Sequence, residues 1–369
     1  MDKTETKLRP EKAGKKTCTL RDLRNGIVVR IPDRLSDAVM TIPALKVLKE
    51  SLPEHCGLFV IIPAFMTQLF EALPIVDKTV TMRKSGKMWS KNERREIRQL
   101  RAGAIVIFNR SPKDIISAKL AGIPQIIGFS GSVCDALLSA KIPFIARATD
   151  AEHHSPIALQ YLELAQAAGA GEWDGIVPPI ASRIATAETE QVIHDICRHT
   201  QVLLMAPGVS GTPCWPSASY RAVAKFWIRH GGIVAIIGSA GERSLANAIC
   251  SSLPKNKYFN LCGKTDICAL LHLFRSAAYT IAGDSGLMRL GIALDIHGLV
   301  PVGPSDFAAT DPVTAKWKIL FSKRNCSGGK GACNHNGNCP HLPTVHQALK
   351  AIRQSAQELH FPFREFAKK

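Results

Sequence analysis

The sequence predicts an α/β protein with two domains, each built on a parallel, doubly wound sheet. Short runs rich in β-branched residues alternate with longer stretches of helical spacing, which is the pattern of repeated βαβ units. The alternation begins at Gly26 and restarts near Ala181. A chain of 369 residues also exceeds what one average hydrophobic core organises. The expected divisions are a flexible basic arm over 1–25, a first domain over 26–180, a second over 181–352, and a helix end and tail over 353–369. No short-period repeat argues for a solenoid.

Taken in order, Gly26 to Ile31 reads as a strand. Asp37 to Ser51 follows with Val39, Ile42, Leu45 and Leu48 at helical spacing. Leu58 to Ile62 is a second strand before a helix over Phe65 to Leu73. Ala104 to Phe108 is a third before a helix over Lys113 to Ala121, and Ile126 to Phe129 is a fourth. After a helix over His154 to Ala168, strands are expected at Val202 to Ala206, Gly232 to Ile237, around Tyr279 to Ala282, and at Leu299 to Val302. Helices are expected at Ser217 to His230, Gly241 to Leu253, Ile267 to Ala277 and Thr344 to Glu358. In such sheets ligands sit beyond the carboxyl ends of the strands. Asp37, Asn109, Gly208 to Ser210, Gly238 to Glu242 and Asp284 to Arg289 all follow predicted strands directly.

Composition narrows the class. A hydrophobic fraction of 46% and a charged fraction of 21% are ordinary for a globular protein, and no apolar run is long enough to span a membrane. The N-terminus carries no hydrophobic stretch, so a secretory signal is not expected and a cytoplasmic location is. The formal charge of +17 favours an anionic partner. It concentrates between Arg83 and Arg101, where Arg94, Arg95 and Arg98 lie among three lysines opposed only by Glu93 and Glu96. This stripe is either a solvated helix face or a patch for an anionic acceptor or membrane. Zinc-finger, RNP-type and basic-heptad patterns are missing, so nucleic acid is not an expected partner. Most of the eleven cysteines sit in apolar contexts and read as reduced core fillers. Cys326, Cys333 and Cys339, with His335 and His341, lie in a Gly- and Asn-rich segment. Their spacing departs from the usual C-x2-C knuckle, so they read as a structural loop with free thiols, with a zinc site as the alternative. His153 and His154 read as solvated, as helix-capping or as acceptor contacts.

Several signatures fail. Gly263-Lys264-Thr265 ends like a P-loop, but Tyr258 stands where its first glycine belongs. There is no G-x-S-x-G elbow, no H-E-x-x-H, and no G-x-G-x-x-G after the first strand. What remains is a constellation. Tyr279 to Leu290 reads as strand, tight turn and helix start, which is a phosphate site with Arg289 one turn in. Asp37 supplies a lone carboxylate at the matching turn of the first half. The alternative is that Ser36 or Asp37 caps the first helix and Asp284 caps its own.

Taken together, Arg34 to Leu45, Ala206-Pro207-Gly208 with Trp215-Pro216, Asn260 to Thr265, Gly283 to Met288 and Gly303-Pro304-Ser305-Asp306 resemble, in order and spacing, the motifs of glycosyltransferase family 9, the bacterial lipopolysaccharide heptosyltransferases. Asn109-Arg110-Ser111 is similar to the acceptor part of heptosyltransferase II. The resemblance implies a GT-B fold, two Rossmann-like domains facing across a cleft, and an inverting, metal-independent transfer. It implies that a heptose moves, from ADP-heptose, to an anionic lipid A–core acceptor, with peripheral contact to the cytoplasmic face of the inner membrane. Asp37 falls on the position of the general base. Gly208, Ser210, Glu242, Asp284, Ser285, Gly286 and Arg289 fall in the donor site. Asn109, Arg110, Ser111, Arg94, Arg95 and Arg98 fall on the acceptor side. Three departures stand out: Ser36 replaces a glycine, Pro213 a lysine, and Arg289 a histidine. Arg289 is expected to restore the cation lost at Pro213. A catalytically impaired nucleotide-sugar- or lipid-binding protein and a nucleotide-sugar epimerase are the other readings.

Overall fold

The computed structural model describes residues 20, 23, 25–84, 86–144, 157–181, 187–199, 201–208, 215–302, 316–321 and 342–358. The first half runs β1 (Gly26–Arg30), α1 (Leu35–Val39), α2 (Ile42–Ser51), β2 (Gly57–Pro63), α3 (Thr67–Glu71), β3 (Lys78–Met82), α4 (Lys91–Gln99), β4 (Ala104–Ile107), α5 (Pro112–Leu120), β5 (Gln125–Phe129), β6 (Ala140–Ile142) and α6 (Ile157–Ala167). The second runs α7 (Ala187–Cys197), β7 (Val202–Ala206), α8 (Ser217–Arg229), β8 (Ile233–Ile236), α9 (Arg243–Cys250), β9 (Tyr258–Asn260), α10 (Ile267–Ser276), β10 (Ala277–Ala282), α11 (Gly286–Ala293), β11 (Gly298–Val302), β12 (Trp317–Phe321) and α12 (Val345–Glu358).

Each half forms a six-stranded parallel sheet, in the orders β3-β2-β1-β4-β5-β6 and β12-β11-β10-β7-β8-β9. Read from opposite edges, the two orders are the same doubly wound topology. Each reverses winding direction at one crevice, between β1 and β4 and between β7 and β10. Side chains on central strands alternate between apolar layers. Ile27 and Val29 of β1 face one cluster and Val28 the other. Val202, Leu204 and Ala206 of β7 likewise oppose Leu203 and Met205. The first-named cluster runs through both halves. Burial on both faces explains why β1, β4, β7, β8 and β11 read as unbroken apolar runs.

The eight strands expected from the sequence are present. Three expected helices are divided; the Phe65 stretch begins as a 3-10 turn over Ala64–Met66 before α3. The stretch from Asp37 to Ser51 breaks at Met40–Thr41 because Pro43 lies at the start of α2. Further inside a helix its ring would clash with the carbonyl four residues back. The Gly241 stretch begins as a 3-10 turn over Ala240–Glu242 before α9. Helix α7, β3, β6, β9 and β12 were not anticipated.

Candidate active site

The carboxyl ends of both sheets open onto one cavity of about 1310 Å³. From the first half come Arg34 to Asp37 after β1 and Ala64, Phe65 and Gln68 after β2. From the second come Gly208 after β7, Gly238, Ser239, Gly241 and Glu242 after β8, Thr265 to Ile267 after β9, and Asp284 to Leu287 with Arg289 after β10. The halves meet most closely where the start of α11 packs on α1. A Cβ built on Gly286 would lie 2.9 Å from Leu35 Cβ and 3.0 Å from Ser36 N, so only glycine permits this approach. Gly208 holds a left-handed φ of +63° beside Ser285, which turns the chain under the same loop.

Ser285 is the N-cap of α11; its Oγ accepts from Met288 N at 3.4 Å. Asp284 is therefore not the cap, contrary to the capping alternative. The N–H groups of Gly286 and Leu287 precede any intrahelical acceptor and remain available to a ligand. Arg289 is 5% exposed and pairs with Asp284 at 3.5 Å, so its charge is already opposed within its own loop. On the facing wall, the N-cap of α1 is Arg34, which offers no side-chain cap. Neither Ser36 nor Asp37 caps that helix. Asp37 stands at its third position, half-buried, accepting from Ser36 Oγ at 3.2 Å. Tyr161 of α6 packs against Phe108 and Phe129. Burial pushes its hydroxyl pKa far above the ordinary value; the Asp37 charge adds to this and Arg289 opposes it, so both act at one point.

Glu242 Oε2 accepts from Ser239 N at 2.6 Å and Ser239 Oγ at 2.7 Å. This reciprocal cap fixes the loop and leaves Oε1 free to accept from a ligand. Beneath it the Cys262 thiol is pushed up to about 11, by burial first and then by Glu242.

The cavity thus gathers Asp37, Gly208, Glu242, Asp284, Ser285, Gly286 and Arg289. The expected acceptor-side residues lie elsewhere. Asn109 donates to Asp114 Oδ2 at 2.5 Å, and Ser111 caps α5. Asp114 is buried, takes Trp89 Nε1 at 2.5 Å, and meets the fully buried Arg30, which also pairs with Asp33 at 2.5 Å. Arg110 stacks over the Phe144 ring at 4.7 Å. On α4, Arg95 is exposed and Arg94 half-buried, while Arg98 Nη2 and Nε donate to the carbonyls of Leu120 and Ala121 and close the end of α5. None of these six lines the cavity. Ser210, Pro213, His153, His154, His335, His341, Cys326, Cys333, Cys339 and the Gly303–Asp306 motif lie outside the described residues, as does nearly all of the expected 1–25 arm. Among the described residues, no cluster of three His, Cys, Asp or Glu side chains has metal-site geometry. No described helix is long and apolar enough to cross a membrane.

Sequence reading gave no site role to the cavity residues Phe65, Gln68 and Asp266, and met Arg34 only as the first residue of the opening motif. Phe65 is 58% exposed just past β2, and the rule that ligands gather at strand ends would have flagged it.

Residues 94–338 match the family described as glycosyltransferase family 9 (heptosyltransferase), which is more than half of the chain. The chain belongs to that family. Lipopolysaccharide heptosyltransferase 2 of Salmonella typhimurium is 25% identical over 309 residues, covering 80% of this chain and 87% of that protein. Among solved structures, E. coli ADP-heptose lipopolysaccharide heptosyltransferase II superposes with a TM-score of 0.72 at 20% identity, over 91% of this chain and 99% of that one. An E. coli heptosyltransferase solved with ADP gives 0.64 at 13% identity, over 90% and 98%. The fold of this glycosyltransferase is the GT-B arrangement that the sequence led us to expect, with two parallel sheets opening onto a shared cavity.

Proposed function

We propose that this glycosyltransferase moves a heptose from ADP-heptose to the inner core of lipopolysaccharide with inversion at the anomeric carbon. The observation that carries the reading is one cavity lined from one side by Asp37 and from the other by the Asp284–Gly286 loop. The relatives' own names, heptosyltransferase 2 and ADP-heptose heptosyltransferase II, supply the sugar and the donor.

In this reading residues 181–352 hold the donor and 26–180 the acceptor. The diphosphate sits against the Gly286 and Leu287 N–H groups, with Ser285 and Gly208 shaping the loop and Arg289 holding Asp284 behind it. Glu242 Oε1 accepts from the ribose. Asp37 takes the proton of the acceptor hydroxyl as that oxygen attacks the anomeric carbon. Outside the cavity, Arg110 and the basic face of α4 meet the phosphorylated acceptor, while Asn109 and Ser111 hold the turn that presents Arg110. That face also brings the enzyme to the anionic cytoplasmic surface of the inner membrane.

The test is ADP release from ADP-heptose in the presence of lipid A–core acceptor. Asp37→Asn is expected to lower kcat by roughly 100-fold or more with ADP affinity intact. Stability should hold, because Asp37 is not the cap. Unchanged turnover in a folded Asp37→Asn protein removes Asp37 from the reaction. ADP binding without heptose transfer supports a binding protein instead, and conversion of the donor without acceptor supports an epimerase.

A further inference from the structure

The charges around the cavity do not suit a diphosphate on the strength of Arg289 alone. Among the described lining residues there are four carboxylates, Asp37, Glu242, Asp266 and Asp284, against two guanidiniums, Arg34 and Arg289. Arg289 is buried and already paired with Asp284. The lysine that the family pattern carries near the Trp-Pro pair is Pro213 in this chain. A nucleoside diphosphate entering here brings several negative charges against a described lining that is already net anionic.

Arg34 answers that deficit. It is exposed, it lines the cavity, and its side chain makes no ion pair or hydrogen bond among the described residues. Its position is fixed by its neighbours. Leu35 and Ser36 are the residues against which Gly286 packs, so Arg34 stands one to two residues from the point where the phosphate loop touches the first half. It also stands three residues from Asp37, at the other end of the first turn of α1. A guanidinium here costs no buried partner to free and offers the two-pronged geometry that phosphate oxygens accept.

We propose that Arg34 is the cation that binds the donor's diphosphate, reaching it from the half of the molecule opposite the phosphate loop. This rests on the donor reading above. The acceptor oxygen forms its bond to the anomeric carbon while the bond from that carbon to the β-phosphate oxygen breaks. The bonding pair leaves on ADP, and the acceptor's proton passes to Asp37. Arg34 meets the negative charge that gathers on the leaving phosphate. One short helix thereby carries the base and, at its N-cap, the leaving-group cation.

The experiment measures binding of ADP, adenosine and inorganic pyrophosphate by calorimetry, with kcat for heptose transfer, on wild type, Arg34→Ala and Arg34→Lys. Arg34→Ala is expected to bind ADP and pyrophosphate at least about 10-fold more weakly, to bind adenosine as wild type does, and to keep its melting temperature. Arg34→Lys should recover part of the loss. A folded Arg34→Ala protein that binds ADP and pyrophosphate as tightly as wild type overturns the proposal, and so does one whose only change is a higher KM for the acceptor. Wild type that binds ADP but transfers no heptose instead overturns the reaction and leaves the Arg34 assignment standing.

Discussion

Replacing Gly286 with alanine tests whether the catalytic geometry depends on the contact between the two halves. The added methyl would sit 2.9 Å from Leu35 Cβ, 3.0 Å from Ser36 N and 3.1 Å from Leu35 Cγ. Such atoms rest comfortably at about 3.5–4.0 Å, so relief requires α1 and the start of α11 to part by about 0.5–1 Å. The Ser36 nitrogen is backbone and cannot swing aside. Asp37 moves with α1 and the phosphate loop moves with α11, so the base shifts relative to the donor. A misplacement of about 1 Å costs about 100-fold, and kcat is expected to fall by about 10- to 100-fold. Overpacking of this kind also destabilises by about 1–3 kcal/mol. Gly241→Ala is the control. It lines the same cavity, but its new methyl would meet nothing nearer than Ser239 Oγ at 3.7 Å, and a cost below about 0.5 kcal/mol is expected. Steady-state ADP release read alongside a thermal melt separates the two effects. Wild-type kcat in Gly286→Ala would refute the reasoning, because the methyl cannot be accommodated without the displacement.

Arg289→Ala should lower the melting temperature as well as ADP affinity, because it leaves Asp284 without its partner; loss of ADP affinity by about 1.5–3 kcal/mol with no change in stability would contradict the pairing. Reversing Lys91, Arg94 and Arg95 to glutamate should weaken binding to anionic vesicles, each cation contributing about 1 kcal/mol at low salt, and leave ADP affinity unchanged; vesicle binding equal to wild type would make α4 a solvated face only. Arg98→Ala should instead cost stability, since Arg98 closes the end of α5, and melting curves would show it. Burial alone would raise the Glu93 carboxyl, but the N–H groups of Arg83 and Ser90 outweigh it and hold the group below its ordinary value of 4.5. The folded state then binds fewer protons than the unfolded one. The stabilisation is therefore present above that ordinary value and is lost as pH falls through the folded one. Glu93→Gln should lower stability at neutral pH and flatten the acid limb of a melting-temperature profile; an unchanged limb would remove Glu93 from it.

The sequence by itself determined the fold class and the central strands. β1, β2, β4, β5, β7, β8, β10 and β11 are covered on both faces, or nearly so, and such burial demands apolar runs that are visible without a structure. The four strands it left unread, β3, β6, β9 and β12, are the four edges of the two sheets. β6 and β9 have three residues each and no fully buried one, and β3 is partly exposed, so these edges carry little apolar periodicity. The cavity loops were legible for the same reason as the central strands, since each follows a strand that is itself legible. Tertiary structure alone decided which charges are free. Asp284 and Arg289 read from the sequence as a carboxylate and a cation, and only packing sets them against each other. Asn109 and Arg98 read as acceptor contacts, but a buried aspartate and the carbonyls of a neighbouring helix already engage them. Arg34 opens the first motif, but nothing local marks it as a phosphate contact. Its place follows from the approach of Gly286 to Leu35 and Ser36, a contact between residues about 250 positions apart in the chain that no local pattern encodes.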